Sequence, residues 1–319
     1  MGFQEVIESI TKRGVEWHRE TIIANTFRNA ERITKSFKDI SPDTRPAIVI
    51  SAGPSLYRQN ILKRLWGRFA GTIIATDGAY IQCLRNGVIP DYVVTLDPHP
   101  TRVVRWFGDP DLARNAEGDD YFARQDLDVE FRTNAEAKNA RNIELVNEQA
   151  YRSKFVVSTT SPENVVQRLS GKTELYWFVP LVDDPQRAWS TTARMVRDAE
   201  VSAMNTGGTV GTAAWVFAHS ILRSSLIAVV GMDFGYPLGT PLEKTQSWHM
   251  LDGDASMYPT ERGYWGEAFT DPTYYWYRRN LLDLLKANKA RIINCSGEGL
   301  LYGPGVGCMD LEQWLNLAI

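Results

Sequence analysis

The chain of 319 residues is long enough to bury a substantial core, and its composition, 44% hydrophobic and 23% charged, is that of a globular protein. A net charge of -3 argues against a dominant nucleic-acid surface, because such a surface usually leaves a basic excess. No apolar run is long enough to span a bilayer, no signal-peptide pattern opens the chain, and the three cysteines are irregularly spaced. We therefore expect a cytoplasmic protein with no membrane span.

The first 45 residues are predicted to form an N-terminal helical segment. Apolar side chains recur among charged ones at a spacing compatible with an amphipathic helix over residues 3–38, and Pro42 and Pro46 then prevent its continuation. Residues 46–319 are predicted to form one α/β domain. Within about fifty of these residues, three apolar strands near 47–50, 71–75 and 92–96 alternate with two helices, which is typical of a parallel sheet.

The first strand ends in a turn of small residues, Ser51-Ala52-Gly53-Pro54-Ser55. Gly53 lets a ligand approach the main chain, while Pro54 and Ser55 suit the first positions of a helix, whose unpaired N–H groups attract anions. This pattern indicates a phosphate-type site. A simple chain reversal remains the alternative, because neither GxGxxG nor GxxxxGK[ST] is present.

Acidic residues follow three of the predicted strands. Thr76 and Asp77 end the second strand, Asp97 ends the third, and Asp233 ends a later strand near 226–230. Ligands of parallel sheets bind beyond the carboxyl ends of the strands, where such carboxylates can hold Mg²⁺, act as a base or bind a ribose hydroxyl. Capping of local turns is the alternative role.

Between these strands the sequence predicts an insertion and a second small-residue segment. Residues 102–150 are polar and irregular, and we interpret them as an insertion with some helix. The second segment opens a helix that runs to about Leu222, and its small side chains allow a close approach to a strand or a ligand. Its residues are Asn205, Thr206, Gly207, Gly208 and Thr209.

Residues 236–277 are rich in Trp and Tyr and are predicted to form a lid, a binding loop or an interface. The rings are suited to stacking on a base, a pterin or a sugar, although packing within a core explains them equally well. His249 in this segment and His99 after the third strand are candidates for a general acid or base. Which of the two is catalytic stays open.

Three segments resemble one known family, the proteins named for the archaeal 6-hydroxymethylpterin diphosphokinase (MptE-like) together with the bacterial motility accessory factors (Maf). They are PAIVISAGPSL at Pro46–Leu56, ATDGAYIQCLRNGVIPDYVVTLD at Ala75–Asp97, and Asn205–Tyr236, which includes NTGGTVGTAAWVFA and IAVVGMDFGY. The lead-in Asn25–Asn29 also resembles the accessory factors. The resemblance implies a Rossmann-like fold, with a mostly parallel sheet and helices on both faces, and a nucleotide-dependent transferase.

A more distant similarity is to bacterial sialyltransferases that use a CMP-activated sugar. They share the Gly-Pro-Ser-Leu turn and a Gly-x-Asp-Phe strand end, here Gly231–Phe234. This similarity implies that a lid His acts as base and that tyrosines hold the leaving phosphate. The candidate catalytic residues are then His249, Asp233, Tyr258 and Tyr264. The candidate nucleotide and phosphate residues are Gly53, Pro54, Ser55, Thr76, Asp77, Asp97, Asn205, Thr206, Gly207, Gly208 and Thr209.

The favoured function is transfer of a sialic-acid-like sugar from a CMP-activated donor, for which no cofactor is required. The alternative is a 6-hydroxymethyl-7,8-dihydropterin diphosphokinase that uses ATP, with Asp77 and Asp97 holding Mg²⁺. A non-catalytic nucleotide-binding module is a third hypothesis. The expected partner is a nucleotide or nucleotide-sugar, while the acceptor and the oligomeric state, a homo-oligomer included, stay open.

Overall fold

A computed structural model describes residues 2–101, 103–116 and 131–318; within them the side chains at 10–17, 116, 131–137 and 249–250 are not described. The strands are β1 Ala47–Ile50, β2 Thr72–Thr76, β3 Tyr92–Thr95, β4 Lys154–Ser158, β5 Leu175–Pro180, β6 Ala203–Met204, β7 Ile227–Val230, β8 Tyr236–Pro237, β9 Thr260–Arg262, β10 Glu267–Phe269, β11 Ile292–Asn294 and β12 Val306–Cys308. The α-helices are α1 Phe3–Ala30, α2 Ser55–Arg58, α3 Ile61–Leu65, α4 Asp77–Arg85, α5 Leu112–Ala116, α6 Phe131–Gln149, α7 Glu163–Leu169, α8 Thr191–Ala199, α9 Val210–Val216, α10 Pro272–Ala287 and α11 Leu311–Leu317. A π-helical turn, Phe217–Leu222, continues α9.

The central sheet of the described chain has nine strands, all parallel, in the order β12-β11-β7-β1-β2-β3-β4-β5-β6. β1 lies in the middle, with Ala47 opposite Thr72 of β2 and Ile227 of β7. Its four residues are fully buried because both faces of the sheet are covered. The parallel order brings the ends of β1, β2, β3 and β7 together at one edge.

Alternate residues of β1 face two different hydrophobic cores. Ala47 and Val49 pack in the core that contains α9, whereas Ile48 and Ile50 pack in the core that contains α2, α3 and α11. A strand directs successive side chains to opposite faces, so this alternation places helices on both sides of the sheet. The α/β fold predicted from the sequence is confirmed.

The N-terminal helix is shorter than the sequence indicates, because α1 ends at Ala30 rather than near residue 38. Its last turns are fixed to the loop after β4 by buried side chains. Asn25 Nδ2 donates to Thr160 O at 2.9 Å, and Asn29 Nδ2 donates to Thr159 O and Ser161 O at 2.9 and 2.8 Å. Buried carbonyls need donors, so α1 is attached to the sheet by polar contacts as well as by packing.

The aromatic segment after β7 forms a separate layer at the sheet edge. Its strands pair antiparallel in the order β8-β10-β9, and short 3₁₀ turns lie between them. Its own small hydrophobic core includes Tyr236, Leu251, Tyr258 and Phe269. Much of the aromatic content is therefore used for packing.

The predicted insertion contributes helices α5 and α6, while its residues 117–130 lie outside the described residues. In the described ranges, no helix combines the length and apolar character needed to cross a membrane.

Candidate functional site

The turn after β1 is held tightly against the end of β7. Gly53 N donates to Gly231 O at 2.8 Å. A Cβ at Gly53 would lie 2.5 Å from Gly231 O and 2.7 Å from Asp233 Oδ2, so a side chain cannot be accommodated there without movement. The glycine is required by the close approach of two loops of the protein itself.

Asp233 fills the position in front of the helix that begins at Ser55. Its Oδ2 accepts from Ser55 N at 2.8 Å and its Oδ1 accepts from Ser55 Oγ at 2.6 Å. Burial raises the pKa of Asp233 to about 6, although the two bonds from Ser55 act in the opposite direction. A ligand phosphate at this turn would therefore compete with an internal carboxylate, and the roles of Gly53, Pro54 and Ser55 in phosphate binding stay predictions.

A second buried carboxylate lies at the ends of β2 and β3. Asp77, which follows Thr76 at the start of α4, accepts from Gly78 N at 2.7 Å and from Thr95 Oγ1 at 3.0 Å. Burial raises the pKa of Asp77 to about 7, and the negative charge of Asp97 on the next strand end contributes. A buried acid with such a pKa beside a second acid is a common feature of functional sites.

Asp97 is half-buried, and its Oδ1 accepts from His99 N at 2.7 Å. His99 Nδ1 in turn lies 3.1 Å from Thr101 Oγ1. The structure thus brings Asp77 and Asp97 close enough to interact electrostatically, with His99 on the same loop as Asp97.

The Asn205–Thr209 segment forms a compact turn before α9. Asn205 Oδ1 accepts from Gly207 N at 3.0 Å, and Thr209 caps the helix by accepting from Thr212 N at 3.0 Å. Gly207 and Gly208 have φ of 57° and 87°, which favours glycine. Thr206 is buried, whereas Asn205 and Gly208 are not.

The start of α9 reaches the ends of β1 and β7. A Cβ at Gly211 would lie 3.0 Å from Ser51 Oγ and 3.2 Å from Met232 Cε. Ser51 Oγ is buried and, within the described residues, has no hydrogen-bond partner. Ser51 is not among the site residues that the sequence predicts, because only the folded chain shows that its hydroxyl lies unpaired beside the start of α9.

The predicted catalytic tyrosines lie in different environments. Tyr258 is buried in the small hydrophobic core of the aromatic segment, where its hydroxyl accepts from Thr245 Oγ1 at 2.8 Å and burial raises its pKa to about 12. Tyr264 is 64% exposed and packs edge-on against Trp265. The backbone of His249 belongs to the 3₁₀ turn Trp248–Leu251, and its side chain lies outside the described part.

Tyr274 of α10 is a further aromatic group near the strand ends. Burial raises the pKa of its hydroxyl, and the negative charges of Asp271 and Asp233 act in the same direction. Its ring packs against Tyr236, whose hydroxyl donates to Asp271 at 2.9 Å. Tyr274 is therefore near enough to Asp233 to be affected by its charge, a proximity that sequence spacing alone could not reveal.

Among the described residues, no three or more His, Cys, Asp and Glu side chains lie close enough together to hold a metal ion. The arrangement at the strand ends instead offers paired carboxylates, backbone turns with left-handed glycines, and an aromatic layer.

Comparison with known proteins supports the family resemblance. Residues 20–107 match the family described as 6-hydroxymethylpterin diphosphokinase MptE-like. Over 85 residues the chain is 34% identical to an uncharacterized protein of Treponema pallidum (strain Nichols), a match that covers 27% of this chain and 39% of that protein.

The fold is shared with a Maf glycosyltransferase from Magnetospirillum magneticum AMB-1, at a TM-score of 0.56 and 15% identity. That match covers 92% of this chain and 38% of the larger protein, so the chain spans less than two fifths of either relative. Residues 20–107 thus match the MptE-like family that the sequence resembles, and the structural similarity confirms the Rossmann-like fold.

Proposed function

We propose that this chain, whose residues 20–107 belong to the MptE-like family, is a nucleotide-dependent transferase that moves a sialic-acid-like sugar from a CMP-activated donor to an acceptor. The Maf structural neighbour is a glycosyltransferase, which favours this reaction. The observation that carries the proposal is the close approach of Gly211, in the first turn of α9 directly after the Asn205–Thr209 turn, to Ser51 and Met232 at the ends of β1 and β7.

The nucleotide phosphate would lie at the start of α9, where the first N–H groups that the turn itself does not use, together with the left-handed backbone at Gly207 and Gly208, would bind it. Ser51 Oγ, which is buried beside Gly211 and has no hydrogen-bond partner among the described residues, would reach the same ligand if this turn opens. Asn205 and Gly208 are accessible enough to contact the nucleotide.

In the reaction, an acceptor oxygen forms a bond to the anomeric carbon of the sugar while the bond from that carbon to the phosphate of CMP breaks. His249 would remove the acceptor proton, and tyrosine hydroxyls would stabilise the departing phosphate. Tyr264 is accessible for this role, whereas Tyr258 would have to leave Thr245. Asp233, with a pKa of about 6, is a second candidate base once Ser55 releases it.

A diphosphokinase is the second candidate, favoured by the family's description and by the interaction of Asp77 with Asp97. Two carboxylates on neighbouring strand ends suit Mg²⁺, which takes one or two carboxylates and completes its shell with water and substrate phosphates. The cation would relieve the repulsion between the acids and lower the pKa of Asp77. Its chemistry would be to neutralise the charge of the ATP phosphates.

Calorimetric titration with CMP, a CMP-sugar and ATP, each with and without Mg²⁺, separates these functions. Binding of CMP and the CMP-sugar without metal supports glycosyl transfer, while Mg²⁺-dependent binding of ATP alone supports the kinase. Binding of CMP without turnover of any CMP-sugar points to a non-catalytic module, and absence of nucleotide binding rejects all three.

His249→Ala tests the base once CMP-sugar turnover is measured. Turnover should fall by about a hundredfold or more, as for loss of a general base, while CMP affinity is retained. His18→Ala on α1 is the matched control and should leave turnover unchanged. Full activity of His249→Ala would remove this residue from the mechanism.

A further inference from the structure

A cleft of about 560 Å³ lies between α1 and α8, close to the β5 and β6 end of the sheet and away from β1. Its lining includes four arginines and two aromatic residues: Arg19, Arg187, Arg194, Arg197, Phe27 and Trp189. None of them belongs to the candidate nucleotide site.

The cleft is a local basic surface on a chain whose net charge is -3. Four arginines line it against one acidic residue, Asp198. Arg194 and Arg197 lie 3.5 Å from Asp198, and Arg187 lies 3.8 Å from Asp184. These separations exceed the roughly 2.7–2.9 Å of a strong charge-assisted hydrogen bond, so the guanidinium groups are able to bind further carboxylates.

Two exposed aromatic rings accompany these charges. Trp189 is 90% exposed and Phe27 is 72% exposed. Trp189 also has a φ of 67°, a left-handed conformation that is unfavourable for a bulky residue. Arg19 Nη2 donates to Trp189 O at 3.3 Å, which ties this backbone to α1. An exposed indole on a strained backbone contributes little to the fold and is better explained by a partner.

We propose that this cleft docks an acidic segment of a partner polypeptide that carries an aromatic or aliphatic side chain. Energetically important residues of protein interfaces are enriched in Trp and Arg, and Lys is depleted from them; the cations that line this cleft are all arginines. Nucleic-acid and membrane-surface sites draw on Lys as well as Arg. The partner's carboxylates meet the arginines, and its apolar side chain packs between Trp189 and Phe27. The proposal does not depend on the transferase activity.

Selection of short random peptides displayed on phage tests this docking. The intact chain should enrich peptides that combine Asp or Glu with Trp, Phe or Leu, and the enriched peptides should bind in fluorescence anisotropy. Arg194→Glu/Arg197→Glu should weaken that binding by about tenfold or more. The matched double charge reversal Arg279→Glu/Arg291→Glu, at exposed positions elsewhere, should leave it within about twofold. Equal enrichment on the cleft variant, or no acidic preference, overturns the proposal.

Trp189→Gly separates binding from folding, because glycine accepts the left-handed backbone that tryptophan does not. Its melting temperature should be equal to or above that of the wild type while peptide affinity falls.

Tighter binding of an oligothymidylate or of phosphatidylglycerol vesicles than of the selected peptides would assign the cleft to nucleic acid or membrane. Dissociation of a wild-type dimer by the Arg194→Glu/Arg197→Glu change, seen by light scattering, would assign it to a second copy of the chain. Either result overturns the proposal.

Discussion

Asp77→Asn should stabilise the protein at neutral and alkaline pH, because it removes a charge that is buried at the sheet edge. Asp77 accepts one bond from Gly78 N and one from Thr95 Oγ1. An asparagine can keep both, with its oxygen facing Gly78 and its amide donating to the hydroxyl of Thr95. The backbone of Leu96 also donates to the Asp77 carboxylate, and losing that bond would lower the stability of the variant by an amount that does not vary with pH. The substitution therefore changes the charge with little change in shape.

The magnitude follows from the pKa of Asp77, which is raised from 3.8 to about 7 mainly by burial. The stability contributed by the raised pKa is fully present below pH 3.8 and is lost as the pH rises to about 7, because the folded state binds the proton more tightly than the unfolded state. At about 1.4 kcal/mol per pH unit, the ionised side chain costs roughly 4 kcal/mol at pH 8 relative to pH 4.

Urea unfolding of the wild type and Asp77→Asn between pH 4 and pH 8 measures this difference. The stability of the variant relative to the wild type should rise by roughly 4 kcal/mol across that interval. In the variant Asp97→Asn, which retains Asp77, the free energy of unfolding should vary less with pH than in the wild type. The reason is that the charge of Asp97 helps to raise the pKa of Asp77. Asp283→Asn, on an exposed position of α10, is the control for the amide itself. A difference that does not vary with pH, or that favours the wild type at high pH, would refute the assignment of a desolvated carboxylate.

Three further substitutions test the contacts around the site and α1, each by its urea midpoint. Ser55→Ala removes a buried donor to Asp233 and should cost about 1–3 kcal/mol; an unchanged midpoint would mean that the carboxylate finds another partner. Gly53→Ala places a Cβ 2.5 Å from Gly231 O and should cost about 1–3 kcal/mol or more, whereas wild-type stability would contradict the close approach of the two turns. Asn29→Ala leaves two buried carbonyls without their donor and should cost about 2–4 kcal/mol, while a loss below about 0.5 kcal/mol would show that these two bonds do not hold α1 in place.

The four strands at the centre of the sheet could be predicted because a buried parallel strand has a simple signature. Ala47–Ile50 and Ile227–Val230 are short runs of apolar residues followed by small or polar ones, and both are strands as expected. The sequence pattern predicts one helix between β1 and β2. It is instead divided into α2 and α3 at Asn60, whose φ of 49° lies in the left-handed region that asparagine tolerates.

The positions of the site residues along the strands could be predicted, but their partners could not. Asp233 and Ser55 are separated by 178 residues, and their hydrogen bonds arise from the adjacency of β1 and β7. The same limit applies to the lid tyrosines. Spacing cannot distinguish Tyr258, which is buried against Thr245, from Tyr264, which is exposed.

Hydrogen–deuterium exchange with and without CMP tests the proposed nucleotide site most directly. If the nucleotide binds where α9 meets the ends of β1 and β7, exchange should slow in peptides that cover residues 51–55 and 205–212, in the absence of Mg²⁺. The lid at 236–277 should respond only when a CMP-sugar is supplied. Protection confined to other parts of the chain, or no protection at CMP concentrations that saturate binding, would contradict the assignment of this edge as the nucleotide site.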